Sequence, residues 1–166
     1  MNPTGAIFRI SPDASVVQPV LFNMAAPNGI SLTPESNALW VAESTRNTIV
    51  KISLMADGIT LAPPGGVFYA YYGSGDGAPD SNKVDKAGNL YQAIIFQGIV
   101  LVLTRHGIAV AVVAMRGRDR GDNLRTNNLA FKPGTLEGYV TLSGDSGAWI
   151  FKFQGLEEGL TLYSHQ

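Results

Sequence analysis

The chain contains no cysteine, which excludes a disulfide framework and any thiolate metal site. It has no excess of charge: 12 Lys and Arg stand against 13 Asp and Glu, for a net −1. With its basic residues scattered, the electrostatic footprint of a nucleic-acid binder is missing. Long hydrophobic runs are missing too. The longest, Ile108 to Met115, falls far short of the roughly 20 residues that cross a bilayer. The first residues, Met-Asn-Pro-Thr-Gly-Ala-Ile-Phe-Arg, carry neither a basic leader nor the apolar stretch of a secretory signal. The expectation is a cytoplasmic protein with no nucleic-acid or membrane partner. Helical periodicity is absent over any length.

What the chain does have is core material and turn formers. With 166 residues, 45% of them hydrophobic, it suits one globular domain spanning 1–166. Its 19 Gly and 9 Pro suit strands and turns. Gly77 to Ala93 reads as strand, tight turn, strand, with Gly88 free to take the positive φ of the turn. Asp80 and Ser81 sit at the mouth of that hairpin, just after Pro79.

This stretch recurs. Fifty-one residues earlier, Asn28-Gly29 falls on Pro79-Asp80 and Trp40 on Tyr91; forty-eight residues later, Tyr139 falls on Tyr91. The segments Asn47 to Ser53, Gln97 to Leu103 and Gly147 to Phe153 align at spacings of fifty. A period of about fifty built only from short strands is the mark of a β-propeller blade. Residues 5–11 match the third strand of the later repeats and residues 15–22 a fourth, so the chain opens halfway through a blade. Full repeats follow at 28–72, 79–116 and 127–165. The expected fold is all-β, a partial β-propeller of about three and a half four-stranded blades.

Propellers close into rings of about four to eight blades. An open arc is expected to leave blade faces bearing Trp40, Tyr91 and Val110 in water, together with rows of Val, Ile and Trp on its outer blades. Open apolar faces of that size mark interfaces. Ring closure by a homodimer or higher homo-oligomer is therefore expected. The alternative is a piece of a longer ancestral protein adapted to being short.

The repeats also gather polar residues. Asn28, Asp80 and Asn127 or Asn128 begin the first strands of successive blades, which surround the channel of a propeller, and Glu43 returns to the same end on the second strand. Such an oxygen-rich ring suits a hard cation such as calcium or magnesium. The same residue types at strand starts also serve simply as turn formers.

Asn-Gly-Ile-x-Leu-Thr-Pro with Leu-Trp-Val-Ala-Glu-Ser, then Pro-Asp-Ser with Asp-Lys-Ala-Gly-Asn-Leu-Tyr, resembles the C-terminal half of the gluconolactonase, senescence-marker-protein and luciferin-regenerating-enzyme family. The wording is most similar to the drug-responsive lactonase branch. The resemblance implies a six-bladed propeller that hydrolyses lactones or related esters with one divalent cation, often calcium, with magnesium, zinc or manganese as alternatives. It implies metal ligation by Asn28 and Asp80, with Ser81 added in the lactonase branch. For such a hydrolysis Asp80 is the candidate catalytic base. The family also takes an acidic ligand from near its N-terminus and further residues from its N-terminal half, and this chain has no counterpart for either. One copy is thus expected not to assemble the whole site. The competing expectation is a catalytically inactive half-propeller acting as a binding or assembly module.

Three motifs point elsewhere. Gly144-Asp-Ser-Gly147 copies the nucleophile segment of trypsin-like proteases, yet the histidines are His106 and His165 alone, and its position fits a hairpin turn. Arg120-Gly-Asp122 spells an integrin-type tripeptide and fits a loop equally well. Asp80-Ser-Asn82 starts like a calcium loop but lacks the EF-hand Gly and Glu. Arg116, Arg118 and Arg120 form a local basic loop, expected to be solvated or to draw anions toward the channel.

Overall fold

Four groups of antiparallel strands follow one another, as the repeat requires. The structure is a computed structural model that describes residues 3–63, 67–70, 77–145 and 147–162. A hairpin comes first, β1 (Gly5–Ile10) with β2 (Val17–Met24). The first full blade is β3 (Pro27–Leu32), β4 (Ala38–Glu43), β5 (Thr48–Ser53) and β6 (Val67–Ala70), in that spatial order. The second is β7 (Ala78–Val84), β8 (Leu90–Ile95), β9 (Ile99–Leu103) and β10 (Ala109–Ala114). The third contains β11 (Arg125–Phe131), β12 (Glu137–Gly144) and β13 (Gly147–Gln154). A bridge between Arg125 and Ile95 joins the second and third blades into one curled sheet of seven strands.

Each core lies between two blades, and strand alternation sends side chains to both. Leu39 and Val41 of β4 pack toward the hairpin with Ile7, Met24, Ile52 and Leu54. Trp40, between them in sequence, packs the other way with Ile49, Leu90, Ile94, Leu101 and Leu103. On β8 and β9, Tyr91, Ala93, Val100 and Val102 face the third blade, meeting Leu129, Phe131, Val140, Leu142 and Phe153. Strands covered on both faces lose the apolar–polar alternation, so β4, β8 and β9 read as nearly continuous hydrophobic runs.

That arrangement corrects one expectation. Trp40 and Tyr91 do not face water: they are 0% and 1% exposed, because each lies between two blades of the same arc. Val110, on the outermost strand of its blade, is half exposed as expected. The open apolar faces are those of the two ends, Phe8, Ile10 and Phe22 on the hairpin, and Tyr139 and Ile150 on the third blade.

Two further differences are local. The third blade shows three strands among the described residues, where four were expected. The expected repeat ends at 72 and 165, and His165 itself, lie outside the described residues. Short 3-10 turns occupy Ser44–Arg46 and Arg118–Arg120, where no helix was expected. Each is a single turn stopped by a left-handed residue, Asn47 at φ 57 and Gly121 at φ 84, too short to carry a periodic signal. The Gly144-to-Gly147 segment is a hairpin, with those two glycines paired across β12 and β13; Ser146 lies outside the described residues.

Candidate functional site

The inner strands β3, β7 and β11 run side by side in one direction. Ser31 Oγ donates to Asn82 Oδ1 at 2.7 Å and to the Asn82 carbonyl at 3.1 Å, while Ser44 Oγ donates to the Pro79 carbonyl at 2.6 Å. The strands touch most closely at Gly29. A Cβ there would fall 2.5 Å from the Asp80 carbonyl oxygen and 2.7 Å from the Asn82 nitrogen. Only glycine lets the two backbones approach so closely.

Each inner strand carries an irregularity at its first turn of pairing. Between Pro27↔Glu43 and Ile30↔Val41, β3 has one residue more than β4, so Asn28-Gly29 bulges. Between Pro79↔Ile94 and Asn82↔Gln92, β7 has one more than β8, so Asp80-Ser81 bulges. Between Thr126↔Leu142 and Asn128↔Thr141 the extra residue is Asn127. Three bulges at the same end of three adjacent strands re-aim the side chains they carry, as bulges beside functional sites do. Asn28 is exposed, and Asp80, Ser81 and Asn127 are half-buried at this end.

A bulge frees carbonyls from the ladder, and buried carbonyls need partners. Gln92, fully buried in the middle of β8, supplies them. Its Nε2 donates to the carbonyls of Asp80 at 2.9 Å, Ser81 at 3.1 Å and Ala93 at 3.0 Å. Asn82 Nδ2 donates to Gln92 Oε1 at 3.2 Å, and Ser31 completes the chain from β3. Gln92 and Asn82 escaped the sequence reading. The signal was there, a glutamine in the middle of the apolar run Leu90 to Ile95, which a buried strand tolerates only with its amide satisfied.

The remaining expected residues divide. Asn128, next to its bulge, turns its Oδ1 onto the Leu129 N–H at 2.8 Å. Glu43 does return to the end where Asn28 lies, paired with Pro27. Its buried carboxylate accepts from Ala25 N at 2.7 Å, Arg46 Nη1 at 3.1 Å and Thr48 Oγ1 at 3.2 Å. Those bonds fix the passage from β2 to β3. Asp85, in the motif after the bulge, is structural in the same way. It is fully buried and accepts from Ala87 N, Asn89 N, Asn89 Nδ2 and the Tyr91 hydroxyl at 2.9 to 3.1 Å. Burial pushes the Tyr91 phenol well above its usual range, with the neighbouring Asp85 acting in the same sense. Arg120 pairs with Asp122 at 3.6 Å within its own loop, and Arg118 Nε donates to the Gln97 carbonyl at 2.8 Å.

Asp80 differs from these carboxylates. Among the described residues, no hydrogen bond or ion pair engages its side chain, although it is half-buried between strands. Ser81 follows it on the same bulge, and Asn28 and Asn127 stand on the bulges of the neighbouring inner strands; their amide and hydroxyl oxygens are the donor class that hard divalent cations take. Among the described residues no three acidic or histidine side chains gather into a metal cluster.

A profile described as the SMP-30/Gluconolactonase/LRE-like region matches residues 1–121. The chain belongs to this family. Lactonase drp35 of Staphylococcus saprophyticus is 36% identical over 165 residues, covering 98% of this chain and 51% of that protein. The chain thus spans about half the length of the curated relatives it matches. Regucalcin of Agrobacterium tumefaciens, a calcium-binding protein, shares the fold with a TM-score of 0.74 at 19% identity, over 96% of this chain and 57% of that one. A luciferin-regenerating enzyme does so with a TM-score of 0.73 at 17% identity, over 96% and 56%.

Proposed function

We propose that this chain contributes the Asp80 side of a divalent-cation centre that hydrolyses lactones or related esters. The observation that carries the reading is the Asp80 carboxylate, which has no protein partner among the described residues and is set on a bulge beside the bulges of Asn28 and Asn127. The lactonase relative supports the reaction class, and the calcium-binding relative supports the cation, with magnesium, zinc and manganese as alternatives.

Asn28, Asp80 and Ser81 would hold the cation. When bound, such a cation polarises the ester carbonyl and acidifies a water. Gln92 keeps the Asp80 backbone from relaxing into a regular ladder, so the carboxylate stays at the mouth. Asp80 accepts the proton of the attacking water. The hydroxyl of that water adds at the carbonyl carbon, the ring C–O bond breaks as Asp80 returns the proton to the leaving oxygen, and the resulting hydroxy acid ionises and leaves as a hydroxy-carboxylate.

A centre with one carboxylate needs further donors from polypeptide that faces this arc, and a second copy of the chain is the reading we favour. Its support is the pair of open apolar ends, with Ile150 72% and Ile10 61% exposed. Closed two-fold pairing is the commonest way to cover such surfaces.

The test compares wild type with Asp80→Ala, following melting temperature and hydrolysis of δ-valerolactone at millimolar calcium, magnesium, zinc or manganese. A cation that binds only the folded state raises the melting temperature by mass action. Wild type should show that rise and turnover; Asp80→Ala should lose both and keep the fold. Full retention of the cation effect in Asp80→Ala would move the centre elsewhere, and no response to any of the four would leave an assembly module.

A further inference from the structure

At the other end of the inner strands from the bulges lies a cavity of about 240 Å³. Its walls are Ile30 and Leu32 of β3, Phe131 and Ala130 of β11, and Leu160 of the segment that follows β13. Into this apolar lining β7 places one charge, Lys83. The ammonium spends one of its three N–H donors on the Asn82 carbonyl, at 3.0 Å. Among the described residues no acidic side chain lines the cavity and Lys83 has no ion pair. Burial alone lowers the Lys83 pKa. A partly desolvated cation without a counter-charge costs stability that a bound anion restores.

We propose that this cavity is a binding site for a small aliphatic monocarboxylate, its carboxylate paired with Lys83 and its chain against Ile30, Leu32, Phe131 and Leu160. The volume sits below the roughly 300–1,000 Å³ of pockets for drug-sized ligands, so a short aliphatic body fits and a long acyl chain does not. Charge complementarity sets the sign of the ligand, and the apolar walls set its body. The site shares no side chain with the Asp80 mouth and is independent of any cation there.

Octanoate is the probe, with octanol and octylammonium as its neutral and cationic counterparts, titrated into the full chain by calorimetry without added divalent cation. Octanoate should bind, octanol more weakly, and octylammonium not at all. Lys83→Met should weaken octanoate at least tenfold, leave octanol unchanged, and melt at or above the wild-type temperature, since the desolvated charge is gone. Ala130→Phe fills the cavity from an exposed strand position and should abolish octanoate and octanol binding together; it decides the matter if Lys83→Met fails to fold. Equal octanoate affinity in either variant overturns the proposal. Octylammonium binding as tightly as octanoate overturns it too, showing an apolar groove open to a peptide or a second copy.

Discussion

Strands β9 and β13 hold the same place in consecutive blades, fifty residues apart, and their surroundings are opposite. Every residue from Ile99 to Leu103 is buried, whereas β13 is mostly exposed from Gly147 to Lys152. Both segments are apolar and both make full antiparallel ladders. What differs is the neighbour. The third blade covers Val100 and Val102, the first covers Leu101 and Leu103, and among the described residues nothing covers Ile150, which is 72% exposed. In a radial fold, burial belongs to the pair of blades and not to the strand.

The largest expected effect breaks or confirms this contrast directly. Leu101→Ala empties a site closed on all sides and should cost about 2–5 kcal/mol by chemical denaturation. Ile150→Ala in the same assay should stay within about 0.5 kcal/mol if β13 faces water in solution. A cost for Ile150→Ala comparable to that of Leu101→Ala, together with a scattering mass of twice 17.6 kDa, would show a second copy covering the face. Ile150→Asp should then return the particle to 17.6 kDa.

A second pair sharpens the comparison at intermediate size. Tyr91 and Tyr139 are equivalent positions, yet the buried Tyr91 hydroxyl links Asp85 to the Leu156 N–H, while the exposed Tyr139 hydroxyl reaches only Glu137 at 3.0 Å. Tyr91→Phe leaves a buried carboxylate and a backbone donor short of partners and should cost about 1–3 kcal/mol. Tyr139→Phe should leave the denaturation midpoint at the wild-type value.

The smallest effect concerns exposed ion pairs. Arg105→Ala breaks the 2.7 Å pair with Glu35 and should lower the denaturation midpoint only slightly, with the difference vanishing in high salt. Its own backbone N–H, and after it the Arg105 guanidinium, hold the Glu35 carboxyl below its usual range. Its folded value lies under the unfolded one, so the contribution is present above the ordinary carboxylate pKa and is lost as pH falls through the depressed value. Titration of Glu35 in wild type and Arg105→Ala by NMR reads that shift.

These pairs also show how far the sequence could be read. The period that aligns Trp40 with Tyr91 and Gln97 with Gly147 located the blades, because each blade repeats the same order of short strands and turns. It could not say that Trp40 would be covered, since its cover is Leu90 and Leu101, fifty or more residues away. Asp80 and Asn28 were legible as neighbours at one mouth because the blades repeat. The bulges that present them were not, since one extra residue in a strand looks like any other residue until the partner strand is counted against it. Glu43 was placed at the correct end, but its carboxylate is claimed by Ala25, Arg46 and Thr48, a matter of where the β2–β3 link passes.

The segment after β13 has a consequence in time. Residues 155–160 are laced between the turns of two blades. Leu156 N–H is held by Tyr91, Lys86 N–H donates to the Glu158 carbonyl, and Gly159 bridges both Asp85 and Pro133. Tyr91 meets its partner 65 residues further along the chain, and the Lys86–Glu158 ion pair spans 72. On the ribosome, the second blade is therefore synthesised well before the chain that fastens it exists. Contacts of such separation form late and slowly. The turn Asp85 to Asn89 waits unlatched, and its latch arrives only after the third blade has been translated.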